Sequence, residues 1–370
     1  MSSTKTKLMI AVTKSNWGGA QRYVYDIAKH FANEKSYDVV VVAGGSGDLL
    51  AKLESEGIRT ISLSSFQRDV SLVKEVKASF LLLKTLLKEK PDILHLNSSK
   101  IGLFGAILGR IARTQHIIFT AHAWPFNEAR PRYQKYIFRF LGMLTVLFAH
   151  RTVAVSDSVI KSLRAPKYIT RKMKCVYTGI DEPKLFDRGY FFEKYALEKK
   201  EGVAIASIGE LHVSKGLDRA LIALAQCKHL KWTYHIMGTG EKKAYLEDLT
   251  KKLGIEDRVI MHGFVENASL YLNSFDLFLF PSRTEALGYV AIEALYSRLP
   301  IIASNAGGIP EVLFDDPYTK LIDCNDGKAF KEALLSALKK LPVVDETNRP
   351  GKLRFQPKFM FTALKKIYSQ

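Results

Sequence analysis

At 370 residues the chain is longer than a usual single domain, and two domains of ordinary size are expected. Its 47% hydrophobic content excludes a disordered tail, and its three scattered cysteines (Cys175, Cys227, Cys324) offer neither a disulfide framework nor a metal cluster. The net charge of +18 is uneven: residues 1–180 carry 28 Lys+Arg against 12 Asp+Glu (+16), and residues 181–370 carry 27 against 25 (+2). This points the first half toward a polyanion, either nucleic acid or an acidic membrane leaflet. The cysteine usage and the absence of a signal-like start (the apolar run from Lys7 to Val12 is too short) lead us to expect a reducing, cytoplasmic setting.

Residues 7–13 read as a buried parallel strand, followed by a loop with Gly18-Gly19 and an amphipathic helix carrying Val24, Ile27, Ala28 and Phe31. A glycine pair between strand and helix lets backbone approach a phosphate, while the lack of a G-x-G-x-x-G pattern argues against a dinucleotide-binding dehydrogenase. Strands at 38–43 and 58–63, a helix over 72–87, a strand at 92–96, a helix over 101–111 and a strand at 116–121 continue the alternation. Such repetition predicts a doubly wound parallel sheet with ligands at the carboxyl ends of its strands, where His122 lies. Over 128–151 the basic residues Arg130, Arg132, Lys135, Arg139 and Arg151 surround apolar runs too short and interrupted to span a bilayer, in the manner of a basic helix lying at a membrane surface.

The irregular stretch 181–200 reads as a linker between a first domain (1–180) and a second (201–350), with a final helix in 351–370. The second domain restarts the alternation: a strand at 202–208, a loop with Gly209 and Lys215-Gly216, a helix over 217–225, and a strand at 232–237 ending in Gly238-Thr239-Gly240. A strand at 258–261 leads to His262-Gly263-Phe264-Val265, and the apolar run 277–280 leads to Pro281–Glu293. A strand at 300–303 then ends in a second glycine pair, Gly307-Gly308, expected to face the same cleft.

The stretch after residue 280 is the strongest chemical signal. It predicts a helix opening near Ala286, whose unpaired N–H groups favour a phosphate, with Gly288 giving that anion room. Glu285 at the entrance and Glu293 two turns on stand roughly 12 Å apart along such a helix, about the distance between the sugar and the ribose of a nucleotide-sugar. A carboxylate accepts from two adjacent hydroxyls, which both sugars offer. Lys215 is placed to hold a diphosphate as a point charge.

The ordered set Gly18-Gly19-Ala20, His122, Val155-Ser156, Tyr177–Asp181, Lys215-Gly216, Gly238-Thr239-Gly240, His262–Val265, Glu285…Glu293 and Ala306–Glu311 resembles the family-4 retaining glycosyltransferases of the GT-B fold. The resemblance implies an α/β architecture of two Rossmann-like doubly wound domains facing a cleft, with the C-terminal helix crossing back to the first domain. It implies that Glu285 contacts the donor sugar and Glu293 the ribose, and that Lys215 with the backbone of Ala286, Leu287 and Gly288 holds the diphosphate. The base would lie near Gly238 and Val265, Gly18 and Gly19 would approach the phosphates, and His122 would face the transferred sugar. Where the family commonly has arginine after the glycine of its G-R-L pattern, this chain has Glu210, which removes a cation; His212 and Arg219 are candidate substitutes.

The expected activity is retaining transfer of a hexose or N-acetylhexosamine from a nucleoside diphosphate sugar, a UDP-sugar by preference, to a glycan or lipid-linked acceptor. No resident cofactor is expected, and the lack of an Asp-x-Asp motif at a strand end predicts metal independence. The basic first domain suits peripheral contact with an anionic inner leaflet. Two rivals stand: a nucleotide-sugar 2-epimerase of the same fold, and a nucleic-acid-binding protein, disfavoured because no nucleic-acid module is present.

Overall fold

The computed structural model describes residues 5–63, 72–345 and 347–370, with backbone alone for 72–76. Two compact units emerge, one comprising residues up to Thr178 plus Lys358–Gln370, the other Gly179–Pro357.

The first unit holds β1 (Thr6–Val12), α1 (Gly19–Ala32), β2 (Tyr37–Ala43), α2 (Asp48–Ser55), β3 (Arg59–Ser62), α3 (Leu72–Glu89), β4 (Ile93–Asn97), α4 (Ser99–Ile111), β5 (His116–Ala121), α5 (Arg132–Phe148), β6 (Arg151–Ala154), α6 (Asp157–Leu163), α7 (Lys167–Thr170) and β7 (Met173–Cys175). Among the described residues its sheet has the order β3-β2-β1-β4-β5-β6-β7 with every pairing parallel. Leu8 to Val12 are fully covered because helices pack on both sheet faces, which is why these strands read as unbroken apolar runs.

The second unit holds α8 (Tyr190–Lys194), β8 (Val203–Ile208), α9 (Leu217–Ala225), β9 (Trp232–Met237), α10 (Lys243–Leu253), β10 (Val259–Gly263), β11 (Leu277–Phe280), α11 (Tyr289–Ala294), β12 (Ile301–Ser304), α12 (Ile309–Leu313), β13 (Thr319–Ile322) and α13 (Gly327–Lys339). Its sheet runs β10-β9-β8-β11-β12-β13, again parallel throughout. Residues 181–200, expected as a linker, belong to this unit: Phe191 and Phe192 are buried in it, and the Phe191 N–H donates to Ser274 Oγ at 3.0 Å. Aromatic burial outweighs the polar composition that made the stretch look like a connector.

The last helix, α14 (Pro357–Tyr368), packs within the first unit, where Tyr368 lies against Phe31 and Phe361 stacks on His30 at 3.7 Å. The two chain passages at the unit boundary run side by side: the Ile180 N–H donates to Phe355 O at 2.8 Å, and a Cβ on Gly179 would come within 2.5 Å of Pro357 Cα.

One buried charge pair braces the second unit. The fully buried Arg349 donates to Ala294 O at 2.8 Å and to Leu299 O at 2.5 Å, and its Nε lies 3.3 Å from Asp316. It thereby ties the chain beyond α13 to the end of α11. Removing one partner strands the other charge, so Arg349→Leu should lower unfolding free energy by about 3 kcal/mol in urea titration, and adding Asp316→Leu should restore part of the loss.

Buried histidines give the fold a pH limit. His95 on β4 and His235 on β9 are held neutral by burial, each lowered to about 3. Charges facing them work the same way: His122 on His95, and His262, Lys199 and Lys200 on His235. The unfolded chain binds protons near pH 6.5 that the folded chain refuses, so stability is full above that value and is lost as pH falls toward 3. Urea titrations at pH 7 and pH 5 should differ by about 2 kcal/mol for each such histidine.

Candidate active site

In the second unit β8 and β11 are neighbours although β9 and β10 intervene in sequence, so the strand order reverses between them. The loops after these two strands emerge together, the usual place for a ligand in an open parallel sheet. Glycines let them touch. A Cβ on Gly216 would fall 2.1 Å from Pro281 O, and one on Gly238 1.9 Å from Gly209 O. The Gly238 N–H donates to Gly263 O at 2.7 Å and the Gly209 N–H to Met237 O at 3.0 Å, joining the ends of β8, β9 and β10, and Val265 lies buried just beyond.

Arg283 completes the lock between the loops. Its N–H donates to Ser214 O at 2.7 Å, and its guanidinium donates to Val213 O at 2.7 Å and to both oxygens of Asp218 at 2.7 and 2.5 Å. Burial would raise the Asp218 carboxyl, but hydrogen bonding and charge from Arg283 outweigh it and hold it below its ordinary value. Arg283 lies inside the stretch read as chemically important, yet nothing in the sequence pairs it with Asp218.

On this frame Lys215 Nζ donates to Glu285 Oε1, and Ser282 Oγ donates to the same oxygen at 3.2 Å. The candidate phosphate cation and the candidate sugar carboxylate therefore hold each other. Glu293, on α11, is buried rather than a solvated surface residue.

One expectation is corrected. The helix begins at Tyr289, not near Ala286, because Gly288 at φ +93° turns the chain into it; Glu285, Ala286 and Leu287 form a loop, and the helix proper has 6 residues. An axial dipole is a weak anion site at that length, and Lys215 carries more of the charge argument. Gly307-Gly308 packs against the site loop: a Cβ on Gly307 would sit 2.0 Å from Glu285 O and one on Gly308 2.0 Å from Ala286 O, while the Gly308 N–H donates to Glu285 O at 2.9 Å. The pair is the seat of the Glu285 backbone. Of the candidate substitutes for the missing arginine, Arg219 donates to the neutral amide oxygen of Asn325, and His212 Nδ1 accepts from the Ser214 N–H at 3.2 Å, while Glu210 is exposed.

In the first unit Gly18 precedes α1 with extended backbone, and a Cβ there would meet only the flexible Gln21 side chain at 3.1 Å. Packing does not demand that glycine, and Gly19 opens the helix. His122, directly after β5, is half-buried and lowered by burial to about 4, so it is neutral at physiological pH. Its ring meets Tyr23 edge-on at 4.8 Å, and its Nε2 lies 3.1 Å from Asn97 Oδ1.

Four of the five cations expected at a surface divide. Arg130 pairs with Glu128 at 2.6 Å and covers Phe138, and Arg139 covers Phe126 at 4.9 Å, so both are engaged within the fold. Arg132 is exposed and Lys135 half-buried. Beside them Tyr133, Tyr136, Ile137 and Phe140 stand exposed by 63%, 68%, 53% and 60%, at the i, i+3, i+4, i+7 spacing of one helical stripe. A cavity of about 760 Å³ lies elsewhere, at the amino ends of β11 and β12, between Asp276, Pro300 and Val343.

Comparison with known proteins agrees with this layout. The model of the glycosyl transferases group 1 matches residues 190–352, and that of glycosyltransferase family 4 matches residues 17–183. A UDP-Gal:alpha-D-GlcNAc-diphosphoundecaprenol alpha-1,3-galactosyltransferase of Escherichia coli is 25% identical over 346 residues, 90% of this chain and 89% of that protein. The capsular polysaccharide biosynthesis glycosyltransferase CapM of Staphylococcus aureus is 21% identical over 89% of this chain and 88% of its own length. Among solved structures, Anabaena HepE in complex with UDP and glucose superposes with a TM-score of 0.81 at 19% identity over 99% of this chain and 100% of its own. Sucrose-phosphate synthase from Thermosynechococcus elongatus does so with a TM-score of 0.79 at 17% identity, over 99% of both chains. Two doubly wound parallel sheets, a lysine–glutamate pair at the reversal of the second, and both matching family models lead to one conclusion: the chain belongs to the family-4 glycosyltransferases of the GT-B fold and is a glycosyltransferase.

Proposed function

We propose that the chain transfers a hexose or N-acetylhexosamine from a UDP-sugar to a polyprenyl-diphosphate-linked glycan, with retention of anomeric configuration and without a metal ion. The observation that carries this reading is the Lys215–Glu285 pair on loops locked by Gly216, Arg283 and Gly307-Gly308. Lys215 would leave Glu285 to meet the diphosphate, freeing the carboxylate to accept from sugar hydroxyls. Glu293 would take the ribose, the backbone of Gly209, Gly238 and Val265 would flank the base, and that of Ala286, Leu287 and Gly288 would adjoin the phosphates. Gly18, Gly19 and His122 are the first unit's contributions. In the transfer, the acceptor oxygen bonds to the anomeric carbon as the carbon–phosphate oxygen bond breaks on the same face, and the acceptor's proton passes to the departing phosphate. The named functions of the Escherichia coli and Staphylococcus aureus relatives support a lipid-linked or envelope-polysaccharide acceptor.

The exposed apolar stripe of α5 with Arg132 and Lys135 favours a bilayer rather than nucleic acid as the polyanion, because aromatic side chains on an outward helix face suit the headgroup boundary. Among the described residues no helix is long and apolar enough to cross a membrane; the contact we propose is peripheral.

Glu285→Gln and Lys215→Met should each lower kcat by about 100-fold or more, with UDP affinity weakened only in Lys215→Met. EDTA should leave turnover unchanged, whereas strict Mg²⁺ dependence would contradict the scheme. Release of UDP only when acceptor is present would separate transfer from the 2-epimerase reading. The double change Tyr136→Ser, Phe140→Ser should weaken binding to anionic vesicles about tenfold or more while turnover on a short-chain soluble acceptor persists.

A further inference from the structure

Behind His122 lies a buried polar chain that the reaction scheme does not use. Asn97 ends β4 and is fully buried. Its Nδ2 lies 3.3 Å from the carbonyl oxygen of His95, a group that only accepts, so the amide nitrogen must face it. Oδ1 is thereby turned to His122 Nε2 at 3.1 Å, and since that oxygen only accepts, Nε2 must carry the proton. The next residue, Ser98, has φ +138°, a strained backbone of the kind that persists where surrounding structure overrides it. A second row of contacts continues inward. Tyr23 OH lies 3.4 Å from Thr120 Oγ1, Thr120 Oγ1 lies 2.7 Å from His95 Nε2, and His95 Nδ1 lies 2.6 Å from Tyr368 OH on α14.

We propose that Asn97 is a positioning residue that fixes His122 as its Nε2–H tautomer, so that Nδ1 accepts a hydrogen bond from a hydroxyl of the transferred sugar, and that the buried chain Tyr23–Thr120–His95–Tyr368 anchors this arrangement to the C-terminal helix. This rests on the reading of His122 as a sugar contact. An accepting Nδ1 welcomes a donor with a hydroxyl at that place and rejects one presenting an acceptor-only oxygen, such as a carboxylate. The titratable groups around the ring are His95 and Tyr23, with Tyr368 behind them, and burial keeps all three neutral.

The test is the ring nitrogen shifts of the full chain labelled with ¹⁵N-histidine, His122 being assigned by the signal lost in His122→Gln. The wild type should show only the Nε2–H form of His122. Asn97→Asp, nearly identical in shape, places a carboxylate on Nε2–H; the His122 titration should rise by one pH unit or more, and a matching acid limb should enter the pH profile of kcat. Asn97→Leu should let the Nδ1–H form appear and lower kcat/KM about tenfold. Tyr368→Phe should move the His95 shifts and lower kcat several-fold at unchanged UDP affinity. An Nδ1–H form in the wild type, or an unmoved His122 titration in Asn97→Asp, overturns the proposal, and the wild-type spectrum decides even if a variant fails to fold. Full turnover by His122→Gln would instead remove the sugar contact and leave the tautomer assignment standing, so the two failures are distinct.

Discussion

The site depends on the absence of side chains at a few backbone crossings. Parallel strands diverge at their carboxyl ends as the sheet twists, and loops leaving them meet only where no Cβ stands between. Gly307 and Gly308 place the Glu285 and Ala286 carbonyls against a neighbouring chain, and Gly216 does the same for Pro281. With both loops pinned, Lys215 and Glu285 come within reach of each other, and neither long side chain has far to move. Pairing also solves the problem of the unliganded state. A half-buried lysine or glutamate alone would bear a desolvation cost, whereas the two together are matched. Asp218 performs the corresponding service for Arg283, which is why that nearby cation is structural rather than available.

Much of this was legible in the sequence. Buried parallel strands announce themselves as apolar runs, and the alternation with helices gave both sheets and the carboxyl-end positions of His122, Lys215 and Glu285. Other features were hidden for physical reasons. The start of α11 was misplaced by three residues because Gly288 was read as room for a ligand when its left-handed backbone is the turn itself. The backbone contact that Gly307-Gly308 makes with Glu285 and Ala286 was not legible, because a sequence cannot say whether a bare Cα faces solvent or another backbone. The 190–194 helix was missed because a short helix anchored by two phenylalanines has no periodic pattern. Asn97 gave no signal, since its importance lies in what the fold sets beside it.

The first unit adds a different constraint. On α5, Gly142, Thr145 and Val146 face inward while Tyr133, Tyr136, Ile137 and Phe140 face outward, so the helix is apolar on two sides. One side is explained by the core. The other is costly to expose to water and accompanies the strong positive balance of this half of the chain, which together favour a surface both apolar and anionic.

The central claim is that Lys215 exchanges Glu285 for a diphosphate. A crystal structure of the full chain with UDP tests it most directly. The account predicts the diphosphate within hydrogen-bonding distance of Lys215 Nζ, with the Lys215–Glu285 contact opened and Glu285 turned to solvent. UDP seated in the cavity beside Asp276 and Pro300, with the lysine–glutamate pair intact, would contradict it.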